Sequence, residues 1–441
     1  MRRFLAALTV LLLLPSAARL GAGSVVRVQA HRSHGTLPRF VPGQVIVEFA
    51  TATGQSRARA AIEQAGGLRA RRSAFGERYL VSLAPGASVE ATVTRLRAMH
   101  EVEYAEPNYT VHADFTPNDE LFKYQWHLEA DQLNAPRTWD IQEGKPEVVV
   151  AVVDTGVAFE DFGPYRKAPD WGDTVFLQGF DFVNGDDHPN DDDGHGTHVA
   201  STIAEGTNNQ IGMAGLAFKC DLLPVKVLDN EGNGSFFDVA EGIDFATNYS
   251  DSQGRKDKVI NLSLGGPDAS QTAKAAVDRA FAAGIVVVAA AGNDGTVGVN
   301  YPGAFPNVMA VGATDFRKQR AFYSSYGPEV SVVAPGGDVD RDDNNDGQPD
   351  GILQQTFDHG SAEAGIYDDF APFFFDGTSS ATPQVAGTAA LLVAQGITDP
   401  TAVRKAIEST ALDLGPPGKD DETGYGLVQP AAALKGLGLN Q

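Results

Sequence analysis

The pattern of hydrophobic and polar positions divides the chain into two regions. In the first region, residues 39–113, apolar strand-like runs alternate with helical patterns. Their order, β-α-β-β-α-β, predicts a small ferredoxin-like α+β domain, although the pattern shows only one central strand clearly. We expect strands at 45–49, 78–83 and 102–105 and helices at 55–66 and 89–99.

The second region, residues 135–441, contains apolar runs that are continuous rather than alternating. Such strands are buried on both faces, which indicates an α/β domain with a mostly parallel central sheet and helices on both faces. Functional groups in these sheets collect at the carboxyl ends of strands and at the starts of the following helices. Residues 114–134 are the predicted linker and lead-in segment. Strands are expected at 148–153, 222–228, 259–264, 285–291 and 308–311, and helices at 195–205, 236–249 and 272–283.

The first residues have the three regions of a secretory signal peptide. Met1, Arg2 and Arg3 precede an apolar core at 4–14, and small residues follow it. This core is too short to span a bilayer, and no later run approaches the roughly twenty apolar residues that a membrane helix needs. We therefore expect residues 1–22 to be a signal peptide of a secreted, extracellular protein without a membrane span.

The composition adds two constraints. The single cysteine allows no internal disulfide, so stability outside the cell must come from elsewhere, with bound cations as the obvious source. The net charge of −23 is uneven: five arginines precede residue 39, nine arginines face seven glutamates within 39–113, and the remainder carries −30. An acidic body argues against nucleic-acid partners. The basic N-terminal region could dock on the acidic remainder of the chain by complementary charge.

A serine opens a long, alanine-rich helical pattern in the stretch F-D-G-T-S-S-A-T-P-Q-V-A-G, which begins at Phe375. The simpler interpretation of Ser379 is a helix N-cap. A catalytic interpretation requires a base and a group that orients the base, because an unassisted hydroxyl is a poor nucleophile. Asp154 at the end of a predicted strand and His195 at the head of a predicted helix supply both. Asp, His, Ser is also one of the known chain orders of the acyl-transfer triad.

Asn293 provides the remaining group that acyl transfer needs. It follows the apolar strand 285–291, and its side-chain amide can donate to the oxyanion of a tetrahedral intermediate. Taken singly, an asparagine at this place is more often a turn residue. Together with the triad at the expected strand ends and helix starts, it favours a catalytic site.

Five sequence blocks in the same order resemble the subtilisin-like serine proteases over residues 126–434. They are D-T-G at Asp154, H-G-T-H at His195, N-L-S-L-G-G from Asn261, A-A-G-N ending at Asn293, and G-T-S-x-A-T-P around Ser379. The pattern is most similar to thermostable, calcium-loaded members of the thermitase and fervidolysin type. The resemblance implies a secreted, monomeric serine endopeptidase that cleaves proteins or peptides. It also implies substrate-binding residues, namely Ser263, Leu264, Gly265, Ala290, Ala291, Gly292 and, near the base of the primary pocket, Asn300.

The same resemblance extends to residues 39–113, which are similar to the propeptide of the family. V-E-Y-A-E-P-N at 102–108 matches the strand that leads to the cleavage point. The propeptide would be an intramolecular inhibitor and folding template of a zymogen that processes itself between Ala113 and Asn118. A permanent accessory domain is the alternative.

Three acidic loops are candidates for Ca²⁺. Six aspartates lie within 181–193, a density that is repulsive without a cation, and hard oxygen ligands suit Ca²⁺. Residues 342–347 repeat the oxygen spacing of an EF-hand loop, D-x-N-x-D-G, and Asp350 closes it. For each loop, simple solvation is the alternative. The resemblance implies two ligand sets: Asp181, Asp186, the His188 carbonyl and Asn190; and Asp170, Asn209 and the carbonyls of Thr207, Ile211 and Met213. The EF-hand spacing gives the third: Asp342, Asn344, Asp346 and Asp350.

Two other classes of function compete with a protease. One is a catalytically silent binding protein that keeps the fold, and the other is a relative that uses glutamate instead of histidine as its base. The presence of the full set of catalytic residues argues against the first, and His195 argues against the second.

Overall fold

The computed structural model describes residues 40–110, 115–255 and 257–436. The predicted signal peptide at 1–22 and residues 111–114, where the predicted processing window begins, lie outside these ranges. Within the ranges, no helix has both the length and the apolar character needed to cross a membrane.

The N-terminal region forms a four-stranded antiparallel sheet. Its elements are β1 (Phe40–Phe49), α1 (Gln55–Gln64), β2 (Gly67–Arg72), β3 (Arg78–Leu83), α2 (Val89–Arg97) and β4 (Val102–Tyr109). The strand order is β2-β3-β1-β4, and one face, including Val45, Val47 and Val81, is buried with residues of both helices. The predicted ferredoxin-like order is confirmed. The edge strand β2 was not predicted, because G-L-R-A-R-R has too few apolar residues.

The second region is built on a seven-stranded sheet in which every neighbouring pair is parallel. In chain order its elements are α3 (Ala135–Trp139), β5 (Val149–Asp154), β6 (Phe180–Asp181), α4 (His195–Ala204), β7 (Asp221–Lys226), α5 (Phe236–Asn248), β8 (Asp257–Leu262), α6 (Gln271–Ala282), β9 (Val286–Ala290), β10 (Val308–Thr314) and β11 (Val330–Pro335). The strand order is β11-β10-β9-β8-β5-β7-β6.

The central strand β5 shows why the apolar runs are continuous. Val150 and Val152 belong to the core that includes α4, whereas Val149 and Val153 belong to the core that includes α5 and α6. Both faces of the strand are therefore buried. The predicted α/β class, with a parallel sheet between helices, is confirmed.

An antiparallel hairpin and four further helices follow these elements in the described fold. They are β12 (Ile352–Phe357), α7 (His359–Glu363), β13 (Phe370–Phe375), α8 (Thr378–Ala394), α9 (Pro400–Thr410) and α10 (Pro430–Lys435). The hairpin contacts α4: His198 Nε2 donates to the Ile352 carbonyl at 2.9 Å, and the His198 ring stacks on Phe375 at 4.2 Å. The segment before Ser379 is thereby packed against the helix that begins at His195.

The predicted lead-in segment belongs to the large core. Trp126, Leu128 and Leu133 are buried, and the Trp126 indole donates to the Gly351 carbonyl at 2.8 Å. Its polar composition suggested a linker, but these few large apolar side chains anchor it over most of its length.

Candidate active site

Asp154 and His195 form a close pair at the carboxyl end of β5. The buried Asp154 Oδ1 accepts hydrogen bonds from the Thr155 backbone N–H at 2.8 Å and from His195 Nδ1 at 2.6 Å. The His195 side chain remains 27% exposed. Because Nδ1 donates to the carboxylate, Nε2 is left as the basic nitrogen on the open side.

The charge of Asp154 makes His195 a strong base. Burial alone would lower the pKa of His195, but the Asp154 carboxylate and its hydrogen bond, with smaller effects from Asp193 and Asp191, raise it to about 9. The imidazole of the free protein is therefore mostly protonated at neutral pH and neutral in alkaline solution.

Asp191 fixes the start of α4, although the sequence placed it among the aspartates of a cation loop. Its buried carboxylate accepts five hydrogen bonds, from the backbone N–H groups of Asp193, Gly194 and Thr197 and from the hydroxyls of Thr155 and Thr197. A carboxylate satisfies free N–H groups at a helix N-terminus and is favoured by the helix dipole. An acidic residue just before the predicted helix was the available indication of this role.

Lys226 is fully buried, and its role could not be predicted from the sequence. A lysine within an apolar run looks like a break in the run and not like a buried charge. Its Nζ donates to the Thr155 carbonyl at 2.6 Å, to the Leu228 carbonyl at 2.8 Å and to Asp192 Oδ1 at 2.6 Å. Lys226 thereby connects Thr155, just after β5, to Asp192 in the loop that precedes α4.

Ser379 lies in the first turn of α8, beside a space that Gly377 keeps open. A Cβ on Gly377 would lie 2.9 Å from Ser379 Oγ, 3.4 Å from Asn293 Nδ2 and 3.6 Å from the Ser379 backbone nitrogen. The φ of Gly377 is 143°. A hydroxyl and two N–H donors therefore border one small volume, which only a glycine leaves free.

The orientation of Asn293 is set by Thr378. The Asn293 Oδ1 accepts from the Thr378 backbone N–H at 2.9 Å and from the Thr378 hydroxyl at 2.8 Å. The carbonyl end of the amide is thus occupied, and Nδ2 is on the side of Gly377. The threonine of G-T-S precedes the serine in the sequence, but its role follows only from the fold.

Within the described residues, no hydrogen bond joins the His195 imidazole to the Ser379 hydroxyl. Catalytic hydrogen bonds of free enzymes are often long and tighten only with substrate. His195 and Ser263 line a cavity of about 410 Å³, and the Ser263 hydroxyl donates to the Ser379 carbonyl at 2.9 Å, so Ser379 contacts a residue of the cavity wall.

The two predicted walls of the primary pocket face Asn300. A Cβ on Gly265 would lie 3.2 Å from Asn300 Cβ, and a Cβ on Gly292 would lie 2.6 Å from Asn300 Nδ2. The Asn300 backbone N–H donates to the Ala291 carbonyl at 2.9 Å. Ala290 and Ala291 are buried at the end of β9, and Leu264 lines the cavity beside His195. The structure therefore brings these predicted substrate residues together.

The first predicted cation loop contains a buried oxygen without a donor. Asn190 Nδ2 donates to Glu160 Oε1 at 2.9 Å, so Asn190 Oδ1 is left buried and unpartnered. Asp181 is buried, and its backbone pairs with that of Asp186 in a tight turn. The His188 ring also points at Glu160, at 2.8 Å, which leaves only its carbonyl for a cation.

The second predicted loop gathers three carboxylates, two of which the sequence did not indicate. Asp170 accepts from Asn209 Nδ2 at 2.6 Å and from the Met213 N–H at 3.0 Å, and Asp119 of the lead-in segment accepts from the Asn209 N–H at 3.0 Å. Glu205 is buried beside Asp170, and neither of its oxygens has a partner. Burial raises the pKa of Asp170 to about 7 and that of Glu205 well above its usual range.

The third predicted loop lies between β11 and β12. Asp342 and Asp346 are exposed, whereas Asp350 is buried. Across the residues that the structure describes, no group of three or more His, Cys, Asp or Glu side chains is arranged to hold a metal ion. Any cation in these loops therefore depends on amide and carbonyl oxygens as well as carboxylates.

Comparisons with known proteins match both regions of the chain. Residues 145–426 match the subtilase family, and residues 29–108 match the fervidolysin N-terminal prodomain. A thermophilic serine proteinase of Bacillus sp. (strain AK1) is 37% identical over 373 residues, which cover 84% of this chain and 82% of the relative. Thermitase of Thermoactinomyces vulgaris is 39% identical over 300 residues, 67% of this chain and 92% of the relative.

A solved protease structure from Pseudoalteromonas arctica superimposes with a TM-score of 0.62 at 33% identity, covering 73% of this chain and 99% of that chain. The family match spans more than half of the residues, and two relatives exceed a third in identity. The chain therefore belongs to the subtilase family and is a serine-type endopeptidase with an N-terminal prodomain.

Proposed function

We propose that Ser379, His195 and Asp154 form the triad of this endopeptidase. The observation that carries the proposal is the 2.6 Å hydrogen bond between the buried Asp154 carboxylate and His195 Nδ1. It holds the imidazole in the tautomer whose Nε2 can accept a proton, and it stabilises the imidazolium that forms.

The reaction proceeds by two acyl transfers. Ser379 Oγ bonds to the scissile carbonyl carbon while its proton passes to His195 Nε2, and the same proton then leaves with the amine as the C–N bond breaks. Water next attacks the acyl-enzyme, gives a proton to His195, and releases the acid as that proton returns to Ser379 Oγ. Asp154 stays ionised throughout.

The oxyanion would be bound in the space beside Gly377. Asn293 Nδ2 and the Ser379 backbone N–H border that space, and the Thr378 contacts hold the amide in the donating orientation. Donors fixed in advance need no reorganisation when negative charge develops, and one such donor contributes roughly 10²–10³ in turnover.

Extended substrate would pair with the backbone of residues 263–265 and 290–292, and its primary side chain would enter toward Asn300. The close approach of Gly265 and Gly292 to Asn300 supports this placement. The cavity that His195 and Ser263 line also has apolar residues in its wall, which include Leu228, Phe236 and Val239. The preceding substrate side chains would contact these residues.

Ca²⁺ would be held in the first two acidic loops. The first would use Asp181, Asp186, the His188 carbonyl and Asn190, whose buried Oδ1 lacks a donor. The second would use Asp170, Asn209 and loop carbonyls, with Asp119 and the unpartnered Glu205 nearby. A bound ion would neutralise the buried carboxylates and stabilise the loops.

The prodomain would inhibit the enzyme until the chain cleaves itself between Ala113 and Asn118. The match of residues 29–108 to a fervidolysin-type prodomain supports this role. The charged start and apolar core at residues 1–22 support export of a zymogen that matures outside the cell.

Expression of the full chain with Ser379→Ala tests the proposal, with Ser380→Ala as the control. The Ser379 variant should remain an unprocessed precursor and lose on the order of 10⁶ in casein turnover, whereas the control should mature. Maturation of the Ser379 variant without added protease would contradict the assignment.

A further inference from the structure

Tyr323 is a buried tyrosine whose hydroxyl contacts the glycine beside the proposed oxyanion space. It is 9% exposed and lies in the loop that follows β10. Its hydroxyl accepts the Gly377 N–H at 3.0 Å and donates to the Gly337 carbonyl at 2.8 Å. The hydroxyl is thus used as acceptor and as donor, and one of its two partners is the glycine that leaves room between Ser379 Oγ and Asn293 Nδ2.

The backbone of Tyr323 binds the loop that carries Asn293. The Gly295 N–H, two residues after Asn293, donates to the Tyr323 carbonyl at 2.6 Å. The carbonyl and the hydroxyl of one residue therefore bind the segments on either side of the space, which are the loop after β9 and the turn before α8. The separation of Asn293 and Ser379 is thus set in part by the length of the Tyr323 side chain.

The surroundings of the hydroxyl are tightly packed. A Cβ on Gly336 would lie 2.7 Å from the Tyr323 hydroxyl oxygen and 2.9 Å from the Gly377 carbonyl oxygen. The Gly336 carbonyl also accepts the Gly377 N–H, but at the longer distance of 3.2 Å. Gly337 is buried, and in the part of the chain that the structure describes its carbonyl has no other donor. Loss of the hydroxyl would therefore leave one buried carbonyl unpaired and Gly377 less firmly held.

Tyr323 stays a neutral phenol in the pH range where His195 is a free base. Burial, and to a smaller extent the charge of Asp376, raises the pKa of Tyr323 well above its usual value of 10.0. The pKa of His195 is about 9, close to the pH at which an ordinary tyrosine begins to lose its proton. The hydroxyl can therefore donate to Gly337 and accept from Gly377 in the alkaline solution in which His195 is neutral.

We propose that Tyr323 is a positioning residue, whose hydroxyl holds Gly377 and thereby keeps the space between Ser379 Oγ and Asn293 Nδ2 open to the oxyanion. This inference rests on the proposed roles of Ser379 and Asn293. The hydroxyl acts only through Gly377, so its contribution is to the geometry of the oxyanion donors. A phenylalanine at this position would keep the ring and its packing and lose only the two hydrogen bonds.

Kinetics of Tyr323→Phe test this role, normalised by active-site titration so that only folded enzyme is counted. With a peptide anilide, kcat should fall roughly tenfold and KM should stay within about twofold, because misplaced oxyanion donors weaken binding of the transition state rather than of the substrate. Tyr326→Phe is the matched control and should equal the wild type: the Tyr326 ring lies 4.3 Å from the Arg320 guanidinium, and within the described residues its hydroxyl has no hydrogen bond to lose. An unchanged kcat in Tyr323→Phe, or a change in KM alone, would overturn the proposal.

A double-mutant cycle separates positioning from a general structural role. If Tyr323 acts through the oxyanion space, loss of its hydroxyl should matter less once a donor of that space is gone. Asn293→Ala alone should lower kcat by roughly 10²–10³. Adding Tyr323→Phe to it should lower kcat by less than about threefold more. A larger further loss would show that the two residues act independently, and would overturn the proposal.

A peptide boronate reports the same geometry without turnover. Ser379 Oγ adds to the boron while its proton passes to His195, and the tetrahedral adduct then carries the negative charge of a transition-state analogue. The inhibition constant of the boronate should rise roughly tenfold in Tyr323→Phe, whereas that of a product peptide should not change. Equal weakening of both would indicate a general structural defect and overturn the proposal. A wild-type chain that neither hydrolyses casein nor binds the boronate would contradict the proposed function itself, whereas an active wild type with an unaffected Tyr323→Phe contradicts only the role of Tyr323.

Discussion

At the residue scale, the proposed oxyanion site depends on Gly377 having no side chain. Ser379 and Asn293 could be predicted from the sequence, because each carries a group that acyl transfer needs. Gly377 could not be assigned its role, because the space that it leaves between them exists only in the fold. The hydrogen bonds by which Thr378 orients the Asn293 amide could not be predicted for the same reason.

Gly377→Ala should lower kcat by roughly 10²–10³, the effect of losing an oxyanion donor, because the new Cβ would fill the space between Ser379 Oγ and Asn293 Nδ2. Gly396→Ala is the matched control: Gly396 also has a positive φ, of 106°, but its Cβ would meet open space. Hydrolysis of a peptide anilide measures both variants. Equal kcat values for the two would contradict the placement of the oxyanion.

The pH dependence of kcat/KM should follow His195. An ordinary histidine would titrate near pH 6.5, but Asp154 raises the pKa of His195 to about 9. The base must be neutral, so the rate should rise with pH through about 9 and fall about tenfold per unit well below it. Asp154→Asn should move the midpoint down while lowering kcat by about 10⁴. A wild-type midpoint at or below pH 6.5 would contradict the pairing.

At the element scale, strand and helix positions in the large domain could be predicted because buried apolar runs mark them, as in β5 and β9. The hairpin β12–β13 could not, since F-A-P-F-F-F contains a proline and is only partly buried. The sequence also shows where α4 begins but not what fixes its start, because Asp191 looks like any other aspartate in its run.

Asp191→Asn should lower the free energy of unfolding by roughly 2–4 kcal/mol, because the amide nitrogen would face N–H and hydroxyl donors in a buried site. Asp187→Asn is the control, since the Asp187 side chain is 70% exposed. Thermal or urea unfolding in the Ser379→Ala background measures both. A difference between the two variants below about 0.5 kcal/mol would mean that Asp191 is not the main cap of α4.

At the scale of the whole molecule, the proposed cation sites would join segments that are far apart in the chain. Asp119 of the lead-in segment and Asp170 bind the same loop near Asn209. Sequence spacing indicates candidate ligands within one loop, such as Asp342 to Asp350, but not a carboxylate that comes from another segment. Glu205 was missed because it ends an apolar helix, where a glutamate is usually exposed.

Removal of Ca²⁺ should reduce heat resistance. An ion that binds only the native state adds about 2.7 kcal/mol per site at a hundred times its dissociation constant. A chelator should therefore lower the inactivation temperature, and excess Ca²⁺ added afterwards should restore it. Asp181→Ala and Asp170→Asn should each reproduce part of the loss. An inactivation temperature that is indifferent to the chelator would mean that these loops are simply solvated.

The most direct test of the central claim is covalent labelling of the mature enzyme with a fluorophosphonate, followed by peptide mass spectrometry. The nucleophile displaces fluoride and forms an O–P bond, so the reagent reports which hydroxyl His195 activates. The account predicts one adduct, on Ser379, that appears in step with loss of activity and is absent from His195→Ala. An adduct on Ser380 or another serine, or full activity after Ser379 is modified, would contradict it.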